Sequence, residues 1–355
     1  MTAIHNAALS KTSYAGDALR TVRLWLYAMA AFVLLMVVVG GITRLTESGL
    51  SITSWKPITG AIPPLTEADW QAEFEAYKQI PQYQQLNQWM SIEDFKNIYF
   101  WEWLHRLLGR VLGILFIVPF VVFLVQRRLP RKLALPLFGL FLLGGFQGAL
   151  GWWMVSSGLT ELTSVSQYRL AAHLSAAAVL LMALVYVPRS LDPGRVAGPV
   201  HRGHVVTAVI LMALVLWQIA AGAFVAGIDA GKGYNTWPLM DGALVPTGLG
   251  VMEPLWRNFF ENSLTVQFIH RCIAYAIVCY LGVLVWQQAR GDGFANVHVW
   301  RVRIGVLVLA QVALGIATLL TSVQIDLAVA HQALAFILAG ATTMYLADIT
   351  RARRS

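Results

Sequence analysis

Residues 100–110 read FWEWLHRLLGR and begin an apolar segment in which His105 is followed by an arginine. The same His-Arg pair returns at His270, and two more apolar segments carry His173 and His331 near their starts. A side chain that can ionise or bind a metal is costly inside a membrane, so it is a candidate functional residue there. Four such histidines predict two bis-histidine sites within helix bundles, and haem is the group expected in them.

The composition places the chain in a membrane. Of its 355 residues, 57% are hydrophobic and 12% are charged, and the mean hydropathy is +0.62. Apolar stretches of about 20 residues can cross a bilayer as helices. We therefore expect an all-α integral membrane protein with eight transmembrane helices. They are predicted over residues 24–42, 101–125, 135–154, 170–187, 205–227, 264–286, 304–323 and 327–347.

The basic residues predict the orientation of these helices. The two tails and the second, fourth and sixth loops hold 16 of the 26 Lys and Arg, but only four of the 18 Asp and Glu. Because cytoplasmic segments carry an excess of Lys and Arg, both termini are predicted to be cytoplasmic, or matrix-side in a mitochondrion. The net charge of +8 thus reflects topology and does not indicate binding to nucleic acid. The first segment lacks a small-residue cleavage site and is predicted to be a retained helix.

The chain contains an internal repeat. The glycines, Trp55 and Pro64 of the first outer loop return at one constant spacing in the second half, up to Trp237 and Pro246. QGALG at 147–151 returns as QVALG at 311–315. Each unit has four helices, so the repeat is predicted to be parallel and to form two four-helix bundles side by side. The expected parts are tail 1–23, bundle 24–190 with outer loop 43–98, linker 191–204, bundle 205–347 and basic tail 348–355.

Other interpretations of the four histidines are weaker. A lone histidine in a membrane helix can simply be a hydrogen-bonding group with no metal. Here four histidines occur at repeated positions and at one depth, toward the outer leaflet, which disfavours that interpretation. Zinc would need Cys, Asp or Glu partners to complete a tetrahedral shell around two histidines. The other histidines are predicted to be solvated surface residues: His5, His201, His204 and His298.

Glycines and arginines accompany the histidines. Arg106 and Arg271 directly follow His105 and His270, and each is expected either to neutralise a haem propionate or to reach a lipid headgroup. Small residues let helix backbones approach a bulky planar ligand, or simply each other. They are Gly144, Gly145, Gly148 and Gly151 in the third helix and Gly315 in the seventh.

The two halves differ beside the histidines. Glu102 precedes His105 by one helical turn and lies on nearly the same helix face, whereas the equivalent position before His270 is Gln267. Only the carboxylate can titrate, so the first site is predicted to handle protons. The alternative is that Glu102 pairs with an arginine. Loop 43–98 is also longer than its counterpart in the second half, and its aromatic residues predict short amphipathic helices over the first bundle.

Two stretches resemble a known family. GGITRLTESGLSITSWKPITG at 40–60 and FWEWLHRLLGR at 100–110 closely resemble haem A synthases, and the resemblance extends over the eight segments and four histidines. It implies oxidation of the C8 methyl group of haem O to a formyl group, through two hydroxylations and loss of water from a geminal diol. The product is haem A for cytochrome oxidase.

The resemblance also implies roles for residues. The first half would hold haem O between His105 and His173, with Glu102 as the functional carboxylate. The second half would hold a haem b cofactor between His270 and His331. Some members carry a cysteine pair in the first outer loop, which this sequence lacks. Expected partners are a haem O synthase that delivers the substrate, an electron donor left unidentified and the lipid bilayer, with homo-oligomer formation left open.

Two other functions remain as alternatives from the sequence. A di-haem b-type electron-transfer cytochrome usually stacks its haems across the membrane, whereas these histidines lie at one depth. A parallel-repeat transporter needs broken helices or a polar route at the midplane, which the histidines do not require. The expected location is a bacterial inner (plasma) membrane, because the short N-terminal tail leaves little room for a transit peptide; the mitochondrial inner membrane is the alternative.

Overall fold

The structure, a computed structural model, describes residues 2–192, 202–290 and 295–352, with side chains described in 19–192, 202–290 and 299–351. Most of the predicted linker 191–204 therefore lies outside the described residues. The same holds for three of the histidines predicted to lie on the surface, or for their side chains: His5, His201 and His298. The helices are α1 (Thr2–Leu45), α2 (Glu67–Tyr77), α3 (Pro81–Gln85), α4 (Ile92–Val125), α5 (Arg131–Ser156), α6 (Gln167–Ser190), α7 (Arg202–Gly227), α8 (Asn258–Glu261), α9 (Ser263–Ala289), α10 (Ala295–Leu320) and α11 (Ile325–Ala352).

Within the described residues, eight helices are long and apolar enough to cross a membrane, which confirms the predicted class and number. They are α1, α4, α5, α6, α7, α9, α10 and α11. The fold is thus all-helical and multi-pass.

Several helix ends differ from the prediction. Helix α4 begins at Ile92 instead of residue 101, because Ser91 and Asp94 form a capping box that starts the helix well outside its apolar part. Helix α1 takes in most of the predicted N-terminal tail. Helix α11 continues through Asp348, which was assigned to the C-terminal tail but is only 8% exposed.

The membrane helices close two rings of contacts. Helices α1 and α5 each contact both α4 and α6, and α7 and α10 each contact both α9 and α11. The rings share an interface in which α6 contacts α7 and α11, and α1 contacts α11. One continuous apolar core runs through both rings. An apolar interior provides the low-dielectric surroundings in which any polar group needs a partner.

Loop 43–98 contains short helices, as predicted, and packs against the N-terminal part of α4. A second apolar cluster holds it there and includes Leu50, Phe74, Tyr77, Phe95 and Tyr99. The ring of Phe95 lies 5.0 Å from that of Phe74 and 5.3 Å from that of Tyr77. We call residues 62–91 the lid, because aromatic packing of this kind fixes them over the first ring of helices.

Candidate functional site

Each of the four histidines packs against a glycine of a neighbouring helix. A Cβ atom added to Gly40 would lie 3.0 Å from the ring of His105, and one added to Gly222 would lie 3.1 Å from the ring of His270. The same distances are 3.4 Å from Gly151 to the His173 ring and 2.8 Å from Gly315 to the His331 ring. A methyl group at Gly40, Gly222 or Gly315 would crowd the facing ring, and one at Gly151 would touch it, so the glycines help to set where the imidazoles lie.

His270 and His331 face each other across the second ring of helices. Their ring centres are 6.5 Å apart and their planes are inclined by 72°. Metal–imidazole bonds of about 2.0–2.1 Å place the centres of two opposed rings roughly 6 Å apart. The spacing of the two side chains therefore fits one metal ion held between them, as in a bis-histidine haem.

The polar atoms of these rings are incompletely satisfied. Among the described residues, Nδ1 of His105, of His173 and of His270 is buried and has no hydrogen-bond partner. Buried polar atoms without partners are rare, and an unaccounted ligand or ion is one recognised explanation. No group of three His, Cys, Asp or Glu side chains suited to a metal ion occurs within the described part of the chain. This donor set fits a metal that brings its remaining ligands with it, as haem iron does.

Glutamines support the histidines of the second half. The amide of Gln218 donates to the carbonyl oxygen of His270 (3.0 Å) and lies 3.2 Å from its ring Nε2. The amide of Gln311 donates to the carbonyl oxygen of His331 (3.0 Å) and lies 3.2 Å from its ring Nδ1. Such contacts restrict ring orientation in the way that outer partners of metal ligands do. Sequence reasoning missed both glutamines, although Gln311 belongs to the repeated QVALG motif.

Glu102 is buried, only 3% exposed, and fully hydrogen-bonded. Its Oε2 accepts hydrogen bonds from Ser51 Oγ and from the Ile52 backbone N–H, both at 2.8 Å. Its Oε1 accepts from two nitrogens of Arg106, at 3.1 and 2.6 Å. The structure thus contains the arginine pair that the sequence left as the alternative for Glu102, together with a loop contact that the sequence did not indicate.

Gln267 occupies the equivalent place in the second half but bonds with the opposite polarity. Its Nε2 donates to the carbonyl oxygens of Ala230 (2.7 Å) and Gly233 (2.8 Å), and its Oε1 accepts from Arg271 (2.7 Å). Gln267 thus keeps the bond from its arginine, as Glu102 does, but bonds to its loop in the opposite direction. The carboxylate accepts from its loop, whereas the amide donates to its loop, because only the amide carries N–H groups.

Both arginines bind the loops that precede their helices. Arg106 donates to the carbonyl oxygens of Ile52 (2.9 Å) and Ser54 (3.0 Å). Arg271 donates to those of Tyr234 and Thr236, both at 2.9 Å. The acceptors in the two halves occupy equivalent positions of the internal repeat. Through these hydrogen bonds each guanidinium attaches a loop to the helix that carries a histidine. Binding of Arg106 or Arg271 to a haem propionate stays a prediction.

The comparison with known proteins decides the family. The family COX15-CtaA, described as cytochrome oxidase assembly protein, matches residues 23–343. The chain is 55% identical to the haem A synthase of Azorhizobium caulinodans over 97% of this chain and 98% of the relative. It is 52% identical to that of Parvibaculum lavamentivorans, over 91% and 92% of the two chains. The chain belongs to the COX15-CtaA family.

This result confirms the resemblance to haem A synthases drawn from the two sequence stretches. Within this COX15-CtaA protein, the halves also differ in the residues around their histidines. In the repeat, Met36 is the equivalent of Gln218, and Gln147 is the equivalent of Gln311. Both amide atoms of Gln147 are buried without a hydrogen-bond partner among the described residues. The glutamine contacts to histidine seen in the second half have no counterpart at these two positions of the first half.

Proposed function

We propose that this chain is a haem A synthase whose first half oxidises the C8 methyl group of haem O to the formyl group of haem A. The observation that carries the assignment is that each half pairs two histidines that pack on glycines, and that a buried carboxylate, Glu102, lies one helical turn before a histidine in the first half, where the second half has Gln267. The 55% identity to a haem A synthase over nearly the whole chain supports the same activity.

His105 and His173 are proposed to hold the iron of the substrate, and His270 and His331 the iron of a resident haem b. The 6.5 Å spacing of the second pair supports this. Bound haem b supplies one-electron redox chemistry to the second half. The residues of the chain place it there: Gly222 and Gly315 position the two rings, and Gln218 and Gln311 restrict their orientation.

In the first half, Glu102 is proposed to hold or move a proton during the two hydroxylations and the loss of water. A carboxylate that is aligned by hydrogen bonds can perform general acid–base chemistry. Arg106 and Ser51 fix both of its oxygens. The lid packs against Leu50, which precedes Ser51, and against Tyr99, which precedes Glu102 by one helical turn. It thereby limits access of water to this carboxylate from the outer face.

We propose that the two helix rings are the two parallel four-helix bundles predicted from the repeat, with both termini in the cytoplasm. The ring contacts, the matched arginine–loop bonds and the charge distribution support this arrangement. All four histidines then lie toward the outer leaflet. The bacterial relatives support a location in the plasma membrane. Haem O would reach the first bundle from a haem O synthase.

Haem extraction tests the function. The protein is purified from cells that also make haem O, and its haems are separated by chromatography. Wild-type protein should contain haem b together with haem O, haem A or a hydroxylated intermediate. Recovery of haem b alone would instead identify an electron-transfer cytochrome.

Single histidine variants test the ligand assignment. His270→Ala and His331→Ala should each remove the low-spin bis-histidine spectrum of the resident haem, because each removes one of its two axial ligands. His105→Ala and His173→Ala should abolish haem A formation and leave that spectrum in place, because each half has its own pair. A full spectrum in both second-half variants would contradict the assignment.

A further inference from the structure

The third membrane helix, α5, has an inward face that is open at its middle. Leu137, Gly144, Gly148, Gly151 and Val155 lie within a narrow arc of this helix, since successive residues advance by about 100°. Leu137 is fully buried and Val155 is 8% exposed. Between them, a Cβ atom added to Gly144 or Gly148 would meet nothing within 4 Å. We call this open part of the face the groove; it ends at Gly151, where an added Cβ atom would lie 3.4 Å from the ring of His173.

The second half fills the equivalent space. The alignment that pairs Gln147 with Gln311 also places Val308 at the position of Gly144 and Val312 at that of Gly148. Val308 is 4% exposed and Val312 packs against the apolar core. The groove is thus a property of the first half alone.

An unsatisfied amide lies beside this groove. Gln147 precedes Gly148 directly and stands one helical turn after Gly144, so it borders the same face. Both of its amide atoms are buried and neither has a partner among the described residues, whereas Gln311 bonds to its histidine. An amide can both donate and accept, which suits an alcohol. Leaving it unpaired costs free energy, so a ligand hydroxyl at this point would be favoured.

Haem O differs from haem b in one substituent that matches both features. Where haem b has a vinyl group, haem O carries a long isoprenoid chain with a hydroxyl group at its base. We propose that the groove along Gly144 and Gly148 takes this isoprenoid chain and that the Gln147 amide hydrogen-bonds its hydroxyl. The assignment rests on the proposed binding of haem O in the first half. It explains how two similar bundles select different haems, since Val308 and Val312 leave no room for the chain.

Binding titrations of the full protein, carrying its second-half haem, test the groove. Wild type should bind haem O more tightly than haem b at the first site. Gly144→Val combined with Gly148→Val should weaken haem O binding by about tenfold or more, because overpacking of a fitted site is costly, and should leave haem b binding unchanged. Gly139→Val is the matched control, because Gly139 also has open space at its Cβ position but lies on the opposite face of α5. It should leave both affinities unchanged.

Gln147→Leu tests the hydrogen bond separately. It should weaken haem O binding by about three- to tenfold, the usual worth of one such bond, without affecting haem b. Gln287→Leu is its control, because Gln287 lies near the far end of α9, about 25 Å along the helix from His270, and it should leave haem O binding as in wild type. Equal loss of both haems, or unchanged haem O binding, in the valine or leucine variants would overturn the assignment. Failure of the underlying function would look different: wild type itself would show no haem O binding that His105→Ala abolishes.

Discussion

At the scale of single residues, the buried carboxylate has two separable contacts. Oε2 of Glu102 bonds to the loop through Ser51 and Ile52, and Oε1 bonds to Arg106. A glutamine has only one oxygen, so it cannot accept from both sides at once. A substitution here changes the charge and the loop attachment together, and an experiment has to separate these effects.

Glu102→Gln should still bind haem O but accumulate haem O or its singly hydroxylated form. Removing one general acid–base group lowers a rate by roughly 10²–10⁴-fold, which is enough to see in whole-cell haem extracts. The measurement is the ratio of haem A to haem O at matched protein level. A wild-type ratio would show that Glu102 serves structure only.

Ser51→Ala is the control for the loop attachment. It removes one of the two loop donors to Glu102 and keeps the carboxylate and its arginine. If proton handling is the role of Glu102, this variant should make haem A at close to the wild-type rate. If it stalls to the same extent as Glu102→Gln, the carboxylate acts by anchoring the loop.

The sequence predicted the four histidines and the Glu102–Gln267 difference because each stands out against an apolar segment. It missed the roles of Gly40, Gly222 and Gln218, because these depend on which residue of a neighbouring helix lies opposite. That register is set by packing between helices and leaves no mark in the periodicity of either helix alone.

At the scale of helices and loops, the lid depends on one buried hydroxyl. Tyr77 is fully buried; it donates to Gln82 Oε1 (2.9 Å) and accepts from Asn87 Nδ2 (2.8 Å). Tyr77→Phe removes this link and leaves two amide groups without their partner, which costs about 1–2 kcal/mol. Hydrogen exchange of backbone amides in residues 67–86 should become about tenfold faster, with membrane helices unaffected.

Tyr83→Phe is the matched control, because its hydroxyl makes only a 3.5 Å contact at the surface. It should leave lid exchange unchanged. Equal acceleration in both variants would show that ring packing, not the Tyr77 hydroxyl, determines lid stability.

Alkaline pH should loosen the same lid in the wild-type protein. Burial raises the pKa of Tyr77 to about 12, against about 10 for an exposed tyrosine. The folded lid therefore favours the protonated hydroxyl, and this contribution is complete below about pH 10 and lost as the pH rises toward 12. Limited proteolysis of the lid should become faster between about pH 10 and pH 12 in wild type. In Tyr77→Phe, the part of this pH dependence that comes from the Tyr77 hydroxyl should be absent.

Membrane spans were predictable because apolar length alone determines them. Their ends were less so. The start of α4 depends on the polar Ser91–Asp94 capping box, and the connection between α10 and α11 turns at Ser322 and Val323, both with positive φ. A β-branched residue rarely adopts that conformation, so no sequence rule would place a tight turn there.

At the scale of the whole molecule, the two rings are joined on the predicted cytoplasmic side by an ion pair. Asp348 of α11 accepts from Arg189 of α6 at 2.7 and 2.8 Å and from Trp300 of α10 at 2.9 Å. On the other side of the bilayer, Arg44 of α1 donates to the carbonyl oxygen of Ala226 in α7 (2.9 Å). Both contacts connect the first half to the second.

Asp348→Asn should lower the thermal unfolding midpoint and leave the haem content of the folded protein unchanged. The asparagine offers one oxygen to three donors, and loss of hydrogen bonds to a charged group costs about 1.5–3 kcal/mol. Glu75→Gln breaks the exposed pair with Lys78 and serves as control, and it should leave the midpoint close to that of wild type because surface ion pairs contribute little to stability. Equal midpoints for the two variants would show that Asp348 does not stabilise the interface.

The opposite bonding of Glu102 and Gln267 limits how parts of this protein can be exchanged. A chimera that transplants only α4 into the second half would set a carboxylate against the carbonyl oxygens of Ala230 and Gly233. The reverse graft would set an amide N–H against the Ile52 N–H or against Arg106. Each helix is thus matched to its own loop, and the pair is the smallest module that can be transferred with all of these bonds intact.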